Sequence, residues 1–244
     1  MSLAPWSVRS ELKVRMLSTS IEDYIKAIYG LELEDEKATT KRIAERLGVK
    51  MASVTGMIKH LAAEGYIRHT PYYGAKMSEK GRRVAVDMIR RHRLIETFLS
   101  QTLGLTWDEV DADAEVLEHA MSDRLIERIY EFLGRPEFDP HGSPIPRRDG
   151  SVPPARGKPL AQLPAGSRGA VVEVSDQDPE FLRYLTGLGL RIGSEVSVGE
   201  CAPFGGPITL ELGEGSVAIG PEAAQRIRVV VKAQSAKGRR SKRS

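Results

Sequence analysis

Cysteine is almost absent from this chain of 244 residues: Cys201 stands alone. An internal disulfide framework is therefore excluded, and nothing demands an oxidising compartment. No apolar run approaches the roughly 20 residues that span a bilayer. The segment from Met1 to Arg15 mixes Trp6, Arg9, Glu11 and Lys13 where a secretion signal would carry an apolar core. These absences predict a cytoplasmic protein without a membrane partner. A nucleophile set of the Ser-His-Asp or Cys-His kind is also missing, so the chain reads as a non-enzyme with no organic small-molecule substrate. Hydrophobic residues make up 41% and charged residues 28%, a globular composition. The net charge of +3 is unevenly placed, with Lys237, Arg239, Arg240, Lys242 and Arg243 crowded into a basic C-terminal tail.

What is present falls into segments. After an N-terminal arm, Ser20 precedes Ile21, Tyr24, Ile25, Ile28 and Leu31, which predict an amphipathic helix with Asp23 in its first turn. Thr39 then caps a short helix with Ile43, Ala44 and Leu47 inward, and Gly48 supplies a left-handed stop. A second helix, 51 to 63, buries Val54, Met57 or Ile58, and Leu61. Its outer side shows Lys50, Ser53, Thr55, Gly56, Lys59 and His60, small and basic enough to enter a major groove. Tyr66 to Thr70, a turn at Pro71-Tyr72-Tyr73-Gly74, and a return through Met77 complete a helix-turn-helix with a β-hairpin wing. Tyr73 and Lys76 on that wing can approach the phosphate backbone.

A long helix from about 79 to 100 follows, with His92 and Glu96 one turn apart. His92 falls in line with Met88 and Ile95, so a packed core histidine is the ordinary reading of it. The next segment reads as one helix from Thr106 to about Leu133, opened by a Thr106-x-x-Glu109 capping box. At about 100° per residue, Asp111, Glu115 and His119 share one stripe with Glu118 beside it. Such donors suit a divalent transition metal; a solvated acidic face is the plainer alternative.

Eight of the fourteen prolines lie between Gly134 and Gly169, which marks a linker. Beyond it the periodicity switches to two. Ala170–Val174, Glu195–Val198, Ile208–Leu212, Val217–Ile219 and Ile227–Val231 read as short strands, interrupted by a helix from Pro179 to Leu188. They predict a small barrel. The expected domains are a winged helix-turn-helix with its arm (1–77), a helical metal-binding and dimerisation domain (78–148), a linker (149–168), an SH3-like domain (169–232) and a disordered tail (233–244).

Several stretches together resemble the diphtheria toxin repressor family of metal-dependent regulators, with its manganese transport regulator branch. They are Ile21 to Tyr29, Arg42-Ile-Ala-Glu-Arg-Leu-Gly48, Arg91-His-Arg-Leu-Ile-Glu96, Glu115-x-x-Glu118-His119-x-Met121-Ser122, and Pro140-His-Gly-Ser-Pro-Ile-Pro146. Gly187 to Val196 resembles the family's SH3-like module, shared with a ferrous-transport accessory protein. The resemblance implies a mainly α winged-helix homodimer on double-stranded operator DNA, with an SH3-like barrel appended. It implies a primary metal site of Asp23, Glu115, Glu118 and His119. An ancillary site would use His92, Glu96 and Asp111, completed from Asp176, Asp178 or Glu180. The iron-sensing branch has Met and Cys at the positions of Asp23 and Glu115. Carboxylates there favour manganese over softer metals, with Fe2+ the alternative and Zn2+, Cd2+, Co2+ or Ni2+ substituting in vitro. Lys26 stands where the manganese branch has a glutamate, which argues for two separate sites rather than a close two-ion cluster. Gly56 stands where the toxin repressor has a base-facing glutamine.

The rival is a carboxylate-bridged metalloenzyme. Such sites repeat a Glu-x-x-His motif on paired helices, whereas here Glu118 and His119 are adjacent and no second copy occurs. The expected function is therefore metal-dependent repression of metal-uptake genes.

Overall fold

The computed structural model describes residues 17–70, 73–175, 178–213 and 215–232. Asp176, the N-terminal arm, the basic tail and part of the wing turn lie outside them. The chain divides into two compact units, residues 1–85 and 86–244.

In the first unit, α1 (Thr19–Leu33) buries Tyr24, Ile25, Ile28 and Leu31 along one face. α2 (Thr40–Leu47) starts where the Thr39 hydroxyl accepts from Arg42 N at 3.3 Å, and it stops at Gly48 with φ 64°. α3 (Met51–Ala63) buries Val54, Ile58 and Leu61, spaced by four and three residues, which turns its remaining surface outward. β1 (Ile67–Thr70) and β2 (Gly74–Met77) pair antiparallel from Ile67↔Met77 to Thr70↔Gly74. Ala75 N donates to Ala38 O at 2.9 Å, tying the hairpin to the segment before α2. Glu32 on α1 accepts from Met77 N at 2.6 Å and pairs with Arg82 at 3.2 Å. The wing is thus held at its base by two separate elements.

The unit boundary falls within α4 (Glu79–Phe98), which is followed by a π-helical turn, Leu99–Leu103. The single helix expected from Thr106 to Leu133 is two: α5 (Val110–Ala120) and α6 (Asp123–Phe132). Met121 between them is extended, at φ −79° and ψ 134°, and the Ser122 hydroxyl caps α6 by accepting from Leu125 N at 3.4 Å. A local start signal, Ser122-Asp123, overrides an apolar stripe that would otherwise have continued. Glu109 does reach back to Thr106 N at 2.9 Å, but residues 107–109 form a turn ahead of the helix. Leu94, Ile95, Leu99, Val110, Ala114, Ile126 and Ile145 form the core of these helices.

The C-terminal module is an antiparallel sheet with the order β3-β8-β4-β5-β6-β7. Its strands are β3 (Lys158–Pro159), β4 (Arg168–Val174), β5 (Glu195–Cys201), β6 (Ile208–Leu212), β7 (Gly215–Ile219) and β8 (Ile227–Val231). α7 (Pro179–Gly187) and α8 (Pro221–Arg226) join them. The expected closed SH3-like barrel is not formed: β3 and β7 are the sheet's two edges, unpaired with one another among the described residues. β3 is two residues long, and Pro159 has no N–H to donate, so that edge cannot sustain a further ladder. Leu160, within the stretch expected to be linker, is fully buried in the module's core beside Val171, Leu182, Leu185, Leu210 and Val229.

Within the second unit the module is joined to the helices by specific contacts. Val174 N donates to His141 O at 2.9 Å, and Trp107 Nε1 donates to the Thr186 hydroxyl at 3.0 Å. Gly142 has φ 83°, and a Cβ on it would stand 1.9 Å from the Val172 carbonyl oxygen. Only glycine permits that approach. No helix among the described residues is long and apolar enough to cross a membrane.

Candidate metal centre

α4 and α5 lie side by side with their acidic and imidazole side chains facing. His92 is 3% exposed. Its Nδ1 lies 2.5 Å from Glu118 and 3.6 Å from Glu115, while its Nε2 lies 3.3 Å from both Glu96 and Asp111. Glu118 and Glu96 are buried, whereas Asp111 is half-buried and Glu115 exposed. Burial alone would depress the imidazole's pKa. Hydrogen bonds to Asp111, Glu118 and Glu96 more than offset that burial and hold it well above 6.5. A proton on His92 supplies the positive charge these carboxylates require. His119 follows on α5, with Nε2 3.7 Å from Glu118. Two sets of donor atoms, His92–Glu115–Glu118 and His92–Glu96–Asp111, each lie within 4.8 Å of one another, close enough to share one ion.

A third set was not anticipated: Glu96, Asp139 and His141, all buried, with donor atoms again within 4.8 Å. Asp139 and His141 belong to the irregular segment after α6. Asp139 Oδ1 accepts from His141 N and Ser143 N, both at 2.9 Å, which fixes the loop. His141 Nε2 donates to the Trp107 carbonyl at 2.7 Å, and the ring stacks on Trp107. That bond leaves the lone pair on Nδ1, which has no hydrogen-bond partner among the described residues and faces Glu96 at 3.6 Å. Burial first, and the Glu96 charge second, raise the Asp139 carboxyl from 3.8 to about 6, against the opposing pull of Arg93 at 3.4 Å. An imidazole lone pair and two carboxylates converging in a buried space fit a divalent cation, and a ligating histidine ordinarily donates its other N–H to a carbonyl as His141 does. The module adds Glu173, buried, its pKa raised by that burial, with the Ser143 hydroxyl at 3.4 Å and Arg228 at 3.4 Å.

Asp178 caps α7 by accepting from Glu180 N at 2.9 Å; both residues are exposed and outside these three sets. Asp23 lies half-buried on α1, in the first unit. The motif Pro140-His-Gly already stood out in the sequence, and its histidine was the available signal for the third set.

On the winged helix, Lys50, Ser53, Thr55, Lys59 and His60 are all exposed along or just before α3, and Tyr73 and Lys76 are exposed on the wing. Thr55 Oγ1 donates to Met51 O at 3.0 Å.

A winged helix followed by a helical pair bearing carboxylate and imidazole donors defines a class, and the comparisons name it. Residues 16–75 match the model described as iron dependent repressor, N-terminal DNA binding domain; 78–147 match its metal binding and dimerisation domain; 158–231 match the FeoA domain. The chain belongs to the diphtheria toxin repressor and manganese transport regulator family: it is a metal-dependent, DNA-binding transcriptional regulator and not an enzyme. The iron-dependent repressor IdeR of Mycobacterium leprae is 32% identical over 225 residues, covering 87% of this chain and 97% of that protein. A solved manganese-dependent transcriptional repressor in complex with manganese is 41% identical, with a TM-score of 0.80 over 87% of this chain and 100% of that one. The manganese regulator SloR is 34% identical, with a TM-score of 0.74, over 87% and 98%.

Proposed function

We propose that this chain is a manganese-activated repressor of metal-uptake genes, acting in the cytoplasm as a homodimer on operator DNA. The donor chemistry carries the choice of metal: carboxylates and imidazoles gather on α4 and α5, and sulfur is absent from the set. A primary site would take Asp23, Glu115, Glu118 and His119. A second site would take Glu96 with His92 and Asp111, or with Asp139 and His141. The module's contribution is better sought at Glu173, through Ser143, than at the exposed Asp178 or Glu180. A bound divalent cation supplies the positive charge that a proton on His92 otherwise provides. His141 presents its lone pair because Trp107 holds its other nitrogen, and Glu118 is kept from water by burial.

The second copy would cover the apolar groove formed by Phe98, Met121, Leu125, Ile129 and Phe132, where Leu125 is 46% and Phe132 70% exposed. This groove lies inside the segment matched by the dimerisation model. Two recognition helices in such a dimer would meet major grooves about 34 Å apart or a multiple of it. Metal and operator must then strengthen each other's binding reciprocally.

The test is retardation of the protein's own promoter and of metal-importer promoters under titration with each divalent ion, beside importer transcription in cells given manganese or iron. Affinity in vitro does not rank the physiological metal, since nitrogen and oxygen sites bind nickel, copper and zinc more tightly than manganese. Repression by iron alone, with manganese inert, would refute the manganese reading. Replacing Lys59 and Lys76 with Ala should flatten the salt dependence by about 0.9 of slope for each lost phosphate contact; an unchanged slope moves the DNA surface elsewhere.

A further inference from the structure

Arg91 precedes His92 on α4 and is 13% exposed at its side chain. Its guanidinium makes three bonds. Nε donates to Asp87 at 2.8 Å on the same helix, Nη1 donates to the Met121 carbonyl at 2.9 Å, and Nη2 bonds Asp123. Met121 is the extended residue at which α5 ends, and Asp123 opens α6. One side chain of α4 therefore closes the gap between the two helices that follow, at the end of α5 that carries Glu118 and His119. The Met121 carbonyl, left over by the broken helix, finds its donor there.

We propose that Arg91 is a positioning residue for the metal ligands: it sets the α4–α5 spacing at which His92 and the α5 donors can share one cation. The proposal rests on the metal reading above. The physical need is clear from the charges. Glu96, Asp111, Glu115 and Glu118 stand around His92 from the two helices, and their mutual repulsion acts to part α4 from α5. A guanidinium resists the parting with a rigid fork reaching a carbonyl and two carboxylates at once. A lysine ammonium, a point charge on a flexible stem, cannot hold those three acceptors in one geometry.

Mn2+ binding to the full-length dimer, followed by the electron paramagnetic resonance signal of the free ion, tests this. Groups that orient metal ligands typically lose on the order of 10- to 100-fold in affinity when replaced. Arg91→Lys and Arg91→Ala should accordingly weaken Mn2+ binding by about 10-fold or more while the chain remains helical and dimeric. Ethylguanidinium should restore binding to Arg91→Ala, and ethylammonium should not. A role in stability alone would lower the unfolding temperature of the metal-free protein and leave the affinity for Mn2+ unchanged, which would overturn the proposal. If Arg91→Ala does not fold, Asp123→Asn decides: it weakens one arm of the fork, and an affinity within twofold of the unaltered protein overturns the proposal. Glu118→Gln separates the two levels. If it binds Mn2+ normally, the metal reading itself has failed; if it binds weakly while the Arg91 variants bind normally, only the positioning role has.

Discussion

Two donor clusters share α4 and differ in their access to water. The outer one gathers His92, Glu115 and Glu118, with His119 3.7 Å from Glu118, and includes an exposed carboxylate, Glu115. The inner one, Glu96, Asp139 and His141, is buried throughout. An ion at the outer cluster would meet solvent at the exposed Glu115 carboxylate, which suits a sensor. An ion at the inner cluster would be enclosed by a loop bonded to β4, which suits a fastening. Both clusters face the same electrostatic problem without metal, and each is served differently. The outer can take a proton on an imidazole whose pKa is raised well above 6.5, and the inner, only as the pH falls to about 6, on the Asp139 carboxyl.

The comparison breaks most sharply if the outer ligands prove dispensable. His119→Ala should abolish manganese-dependent retardation of operator DNA while size-exclusion chromatography still shows the dimer. A variant that responds normally to manganese would remove the sensing role from this cluster. A smaller effect is expected inside. His141→Ala should raise the manganese concentration needed for half-saturation of the operator on the order of 10-fold. It should also destabilise the metal-free protein by about 1–3 kcal/mol, since the Trp107 carbonyl loses its donor. Calorimetry reads the second quantity, and a shift in operator response equal to that of His119→Ala would erase the distinction between the clusters.

The smallest effect is a pH dependence. His92 has a folded pKa above its unfolded value of about 6.5, so its stabilisation is complete below that value and is lost as pH rises through the raised one. Asp139, at about 6 against 3.8, binds its extra proton in the folded state between those values, so stability again falls as pH rises through them. Both signs agree: the metal-free protein should melt at a higher temperature near pH 6 than near pH 8. Manganese should reverse that trend, because protons then compete for its ligands. Parallel pH profiles with and without manganese would show that the metal does not enter these clusters.

The α5 donors were legible because Asp111, Glu115, Glu118 and His119 recur at helical spacing within nine residues, where periodicity projects them onto one face; their meeting with His92 of α4 was not legible from that spacing. Asp139 and His141 follow no period. Their convergence depends on the loop's hydrogen bonds and on Trp107, more than thirty residues away in sequence. The break at Met121 escaped for the opposite reason: Val110, Ala114, Leu117, Met121 and Leu125 keep an apolar spacing straight through it, so the pattern hid a local cap. In the module, alternation located the main strands. Closure could not be read, because it depends on pairing between edges distant in sequence, and one of those edges is a proline-ended dipeptide.

Gly142 bears on how this protein can be dissected. Because its backbone lies directly against the Val172 carbonyl and His141 bonds Val174, the segment before the linker is finished by strand β4. A fragment ending at Arg148, which looks from the proline distribution like a clean removal of the last domain, would strip one wall from the inner cluster. Any loss of metal response in such a fragment would therefore report a damaged site as well as a missing module. Cutting and grafting should respect a seam that runs through folded space, between His141 and Val174, and not along the chain.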